Sequence, residues 1–165
     1  MSTTLPGGAA TAPTASAWKP VVQLPSSHYG AAYEDYDKWL CYYWQICNVM
    51  ERDSRQVLEV GIGSQVVTSY LRRAGVALTT FDIDPDLRPD FIGSVTEMPF
   101  ADGSFDAILC TEVLEHMPFD QTQRAMRELA RCTRRYAYVA VPHFVLSFAL
   151  LLRAPLLHLH ELRMG

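Results

Sequence analysis

Glu59, Gly61 and Gly63 stand close together, and Asp82-Ile83 begins nineteen residues after Gly63. Two glycines at this spacing let the main chain turn tightly and lie against a ligand that any Cβ would displace. An acid about 20 residues further on sits where the end of a second strand reaches a pair of ribose hydroxyls. Together they specify a nucleoside. Ser64-Gln65 stands where a dinucleotide fingerprint would go on to its third glycine, and a carboxylate at Glu59 repels a pyrophosphate but suits an ammonium or the counter-charge of a sulfonium. A nucleoside carrying an amino acid therefore fits better than NAD.

A second group with chemical potential is Thr111-Glu112-Val113-Leu114-Glu115-His116. Histidine is a residue type that can give or take a proton under mild conditions, so His116 is either a general base, a donor that orients substrate, or a helix-cap residue. No metal is expected. Cys41, Cys47, Cys110 and Cys132 are scattered without a Cys-x-x-Cys pair, and His158-Leu159-His160-Glu161 lacks further ligands and reads as a terminal helix.

These residues need a scaffold, and the hydrophobic pattern supplies one. Val57 to Val60 is a short apolar run stopped by glycine, the signature of a buried parallel strand. Helical spacing resumes at Val66, Val67, Tyr70 and Leu71 and ends near Ala74, with Gly75 as terminator. Further strands are expected over 76–81, near 90–93, over 105–110 and over 136–141, with a helix of 121–132 capped by Asp120. Ahead of them, Tyr33, Tyr36, Leu40, Tyr43, Trp44, Cys47 and Met50 form one face of a helix over 31–51, read as packing on the sheet. The expected fold class is α/β: a Rossmann-like, doubly wound, mostly parallel sheet with helices on both faces.

VLEVGIGS, TFDIDP, EMPFADGSFDAILCTEVLEH and YAYVAVP, in this order and spacing, resemble the class I S-adenosylmethionine-dependent methyltransferases, in the subgroup called methyltransferase type 11, over about 56–142. The resemblance implies S-adenosyl-L-methionine as cofactor. It implies cofactor-binding roles for Glu59, Gly61, Gly63, Asp82, Ile83, Ser94, Val95, Thr111 and Glu112, with His116 as the candidate catalytic residue and a small-molecule methyl acceptor. Asp82 would take the ribose hydroxyls and Ser94-Val95 the adenine edge. An aspartate commonly stands at the Ser94 position in such families, so a shorter, uncharged acceptor does that work here. Met98 and Phe100 either stack on adenine or fill the core. Glu112 and Glu115 either contact the methionine moiety or complement a helix start. In such families a helix ahead of the first strand also covers the cleft, a place that Tyr29, Tyr33 and Tyr36 would suit.

The 165 residues, 49% hydrophobic and 19% charged, allow one domain, taken as 28–165 behind a tail at 1–27 rich in Ala, Thr, Ser, Pro and Gly. A net charge of −4 argues against nucleic acid as a partner. Neither a secretory signal nor a transmembrane run is apparent, and the reduced cysteines suit the cytoplasm. Residues 144–152 suit a helix that Pro155 interrupts, so 142–165 reads as a helical lid or a truncated end, without the antiparallel strands such families add after the fifth. The unpaired edge this leaves would favour a homodimer. The absent strands, the missing third glycine and Ser94 also support a competing reading, a methyltransferase-like binding or scaffold protein without activity.

Overall fold

The computed structural model describes residues 21–22, 24–30, 33–142, 148–153 and 162–164. Most of the expected tail, Pro155 and the stretch His158-Leu159-His160-Glu161 lie outside them. Among the described residues, seven strands form one sheet in the order β3-β2-β1-β4-β5-β6-β7. They are β1 Gln56–Val60, β2 Ala77–Asp82, β3 Phe91–Ile92, β4 Phe105–Thr111, β5 Thr133–Val141, β6 Phe148–Arg153 and β7 Leu162–Met164. The first five pair in parallel. The chain runs outward from β1 through β2 to β3, then returns to place β4 on the other side of β1, so the order reverses between β1 and β4. Open α/β sheets bind ligands beyond the strand ends at such a reversal.

Two apolar layers hold the sheet. Leu58 and Val60 of β1 join Ile108 and Cys110 of β4 beneath Ala125, Leu129 and Cys132 of α3 (Phe119–Cys132). Val57, Ala107, Leu109 and Tyr138 face the other way, against Val49 of α1 (Tyr36–Glu51) and Val67 and Leu71 of α2 (Val66–Arg73). Leu58, Phe81, Ile108 and Leu109 are all but inaccessible to water, and each such side chain contributes roughly 1.5–3 kcal/mol by burial. The strand alternation that sends Leu58 and Val60 toward α3 sends Glu59 toward α2.

Four expectations are corrected. The chain does carry antiparallel strands after the fifth: β6 pairs with β5 and β7 with β6, where the apolar run had suggested a helix. The edge of β5 provides a continuous row of backbone partners, and that pairing overrides a helical pattern in a short apolar segment. The unpaired edge invoked for a homodimer is therefore filled by β6. The first helix starts at Tyr36 because the Asp35 side chain caps it, accepting the Lys38 N–H at 2.9 Å. Its buried residues are Gln45 and Val49, and Trp44 of the expected face packs on the same layer, whereas Tyr36, Leu40, Tyr43 and Met50 are exposed, so most of the more conspicuous apolar stripe faces away from the sheet. Finally, α3 begins after Pro118, and Asp120 lies in its first turn without capping it.

Candidate functional site

The ten residues singled out from the sequence line one cleft at the carboxyl end of the sheet. The cleft is open to solvent on one side.

The floor is the turn after β1. Gly61 and Gly63 have φ of +77° and +43°, the left-handed region that costs other residues steric strain. A Cβ on Gly61 would lie 2.3 Å from Val113 Cγ2, and one on Gly63 would lie 3.3 Å from the Tyr29 ring. Bare main chain here thus lets the loop after β4 and the N-terminal segment close on the turn. Gln65, the cap residue before α2, also has φ of +61°, and its Nε2 donates to Leu87 O at 2.9 Å.

Asp82 ends β2 and is 8% exposed. Its Oδ2 accepts the Ile62 N–H at 2.8 Å and its Oδ1 accepts the Asp84 N–H at 2.9 Å. Burial raises its pKa, against the lowering effect of these amides. The Ile83 amide also acts on this carboxylate, which has about four acceptor sites in all, so it holds the glycine turn and retains capacity for a further donor. Ile83 and Asp84 complete this wall.

Glu59 is 3% exposed and accepts the Thr68 hydroxyl at 2.6 Å. Burial pushes its pKa to about 7, with Thr68 and Arg72 opposing the shift. It lines the cleft from beneath, bound to α2. On the opposite side, Ser94 Oγ lies 2.8 Å from Thr96 Oγ1, and Val95 is buried. Met98 is in the core and Phe100 packs among Phe81, Phe91 and Phe105. Neither ring nor thioether lines the cleft, so the core alternative applies to both.

Thr111 closes β4, and Glu112 follows with φ of +55°, its N–H donating to Ala140 O at 2.8 Å. The Glu112 carboxylate forms an ion pair with Lys38 of α1 and accepts the Tyr33 hydroxyl at 3.1 Å. His116 ends a one-turn helix at the mouth, its Nε2 3.9 Å from Glu115 Oε1. Sequence reasoning missed Lys38, because a lysine on an amphipathic helix reads as a solvated position. It also missed the bond of Tyr42 OH with Ser64 Oγ at 2.9 Å, which ties α1 to the glycine turn. Tyr29 and Tyr33 do reach the cleft, while Tyr36 is 79% exposed.

Among the described residues, no group of three or more His, Cys, Asp or Glu side chains could hold a metal ion, and no helix is long and apolar enough to cross a membrane. The donor set does fit an amino-acid-bearing nucleoside. Bare glycine main chain, a strand-end carboxylate, the Ser94-Val95 edge and a charged pair surround a single space.

The fold and cleft define the class, the open α/β sheet of the class I methyltransferases. Magnesium protoporphyrin IX methyltransferase from Synechocystis PCC 6803, solved with bound SAM, superposes with a TM-score of 0.56 at 16% identity, covering 70% of this chain and 67% of that one. A protein from Pyrococcus horikoshii OT3 has the same fold, with a TM-score of 0.56 at 13% identity over 72% and 62% of the two chains. In sequence, the family described as a methyltransferase domain matches residues 58–141. The chain belongs to that family. It is 31% identical to an uncharacterized methyltransferase of Mycobacterium sp. (strain JLS) over 122 residues, covering 67% of this chain and 47% of the relative. The demethylmenaquinone methyltransferase of Mycolicibacterium paratuberculosis is also 31% identical, over 98 residues covering 54% and 42%. The chain thus spans about half the length of the curated relatives it matches.

Proposed function

We propose that the cleft binds S-adenosyl-L-methionine and that the protein transfers its methyl group to a small-molecule acceptor, in a soluble cytoplasmic setting and without nucleic acid as a partner. The observation that carries this reading is convergence. The ends of β1, β2 and β4 and the segment after β3, far apart in sequence, each bring the required residue type to one space. A relative that acts on demethylmenaquinone supports a small-molecule acceptor. One support for the scaffold reading, the absent antiparallel strands, is gone.

In this reading Asp82 takes the ribose hydroxyls, Ser94 and the Val95 amide take the adenine edge, and the Gly61 and Gly63 main chain abuts the amino-acid arm. When bound, the cofactor supplies an electrophilic methyl on a sulfonium. The protein's part is placement and exclusion of water, which can lower a barrier by roughly 7–11 kcal/mol. Tyr29, Val21, Val22 and Leu24 of the N-terminal segment contribute apolar surface to the cleft. For an acceptor that must shed a proton, His116 at the mouth is the base.

The test is calorimetric binding of S-adenosylhomocysteine to wild type beside Asp82→Ala and Gly61→Val. Binding by wild type alone is expected. No measurable affinity in folded wild-type protein would overturn the reading.

A further inference from the structure

Among the described residues that line the cleft, Lys38 is the one lysine or arginine. Lys38 is held in place by three contacts. Its ammonium pairs with Glu112, it lies 4.6 Å from the centroid of the Tyr33 ring, and its backbone N–H is bound to the Asp35 cap. The side chains of Lys38 and Glu112 are only 19% and 23% exposed, and burial lowers the lysine's pKa. Taking two such charges out of water costs several kcal/mol per ion, so the pair is weak as a device for stability alone.

The pair is also incompletely used. Lys38 and Tyr33 both bond to the same oxygen, Glu112 Oε2, and Oε1 takes no hydrogen bond among the described residues. An ammonium has three donors, of which Glu112 uses one. A carboxylate and an ammonium thus stand side by side, each with a free direction. The loop that carries Glu112 also touches the glycine turn: Val113 lies against Gly61, and Thr111 O is 4.0 Å from a Cβ position there.

On this basis, and resting on the cofactor reading above, we propose that Lys38 and Glu112 together form the receptor for the zwitterionic amino-acid end of the cofactor. Lys38 receives its carboxylate and Glu112 Oε1 receives its ammonium. The four charges then alternate, so each has two opposite neighbours and the pair need not break. The site takes up a group of zero net charge without changing its own. Tyr33 keeps Oε2 occupied and so directs the ligand's ammonium to Oε1. Lys38 becomes a specificity residue for the arm, distinct from the groups that hold the nucleoside.

The experiment is calorimetry with four ligands on the full chain: S-adenosylhomocysteine, its decarboxylated analogue, its deaminated analogue, and 5′-methylthioadenosine, which lacks both charges. Lys38→Met should lose about tenfold in affinity for the two ligands that carry a carboxylate and change by less than about twofold for the others. Glu112→Gln should show the crossed pattern, losing about tenfold only for ligands with an ammonium. Lys38→Arg keeps the charge and should keep the carboxylate preference, which guards against a Lys38→Met protein that fails to fold. Variants that lose affinity equally for all four ligands, or for none, overturn this assignment while the cofactor reading stands. A folded wild type that binds none of the four overturns both.

Discussion

The carboxylate of Asp82 and the backbone N–H of Ile62 meet at 2.8 Å, joining the end of β2 to the middle of the glycine turn after β1. One side chain thereby fixes the shape of the turn and stands in the same cleft that the turn lines.

Asp82→Ala should therefore cost more than ligand contacts. It leaves the Ile62 and Asp84 amides without their acceptor, a loss of roughly 2–4 kcal/mol. Asp82→Asn offers only one acceptor oxygen and turns its NH2 toward the other amide, so it should recover little. Urea unfolding of the three proteins checks this, and an unchanged midpoint for Asp82→Ala would contradict the structural role.

Gly61→Ala sets a Cβ against Val113 Cγ2 at 2.3 Å on a left-handed backbone. Valine is stiff at χ1 and cannot swing clear cheaply. We expect a loss of roughly 1–3 kcal/mol and a marked loss of S-adenosylhomocysteine affinity. Adding Val113→Ala should restore part of the stability, because it removes the clash and leaves the φ penalty. Thermal melts of the single and double variants read the difference.

Glu59 makes stability depend on pH. Its folded pKa, about 7, lies above the ordinary 4.5, so the folded protein holds the proton more tightly than the unfolded chain. Stability from this group is complete below pH 4.5 and is lost as pH rises to about 7, up to about 3 kcal/mol. Glu59→Gln should flatten that slope in chemical denaturation series between pH 4.5 and 8. A slope equal to that of wild type would remove Glu59 as its source.

Arg131 binds the segment that follows Ser94-Val95. Its guanidinium donates to Met98 O at 3.0 Å, Phe100 O at 2.6 Å and Asp102 Oδ1 at 2.9 Å, and it pairs with Glu128, whose Oε2 also accepts the Met98 N–H at 2.8 Å. Arg131→Met should cost roughly 1–3 kcal/mol and speed amide exchange over residues 96–102. Lysine cannot reproduce the fork of donors, so Arg131→Lys should behave much like methionine. Hydrogen exchange followed by mass spectrometry tests both.

Local pattern alone determined the parallel sheet and the register of its site. Val57–Val60 before two glycines, and Asp82 at the end of the next strand, are short-range features that a βα unit forces into proximity, so the residues that line the cleft were legible one by one. Tertiary structure decided what spacing cannot express. Periodicity marks a helix as amphipathic without saying which of two apolar stripes meets the sheet, and in α1 the Gln45 and Val49 side won. The 148–153 run became a strand because the edge of β5 offered it backbone partners. The Lys38–Glu112 pair joins residues 74 positions apart. Only the packing of α1 beside the loop after β4 could bring those two charges out of solvent and together.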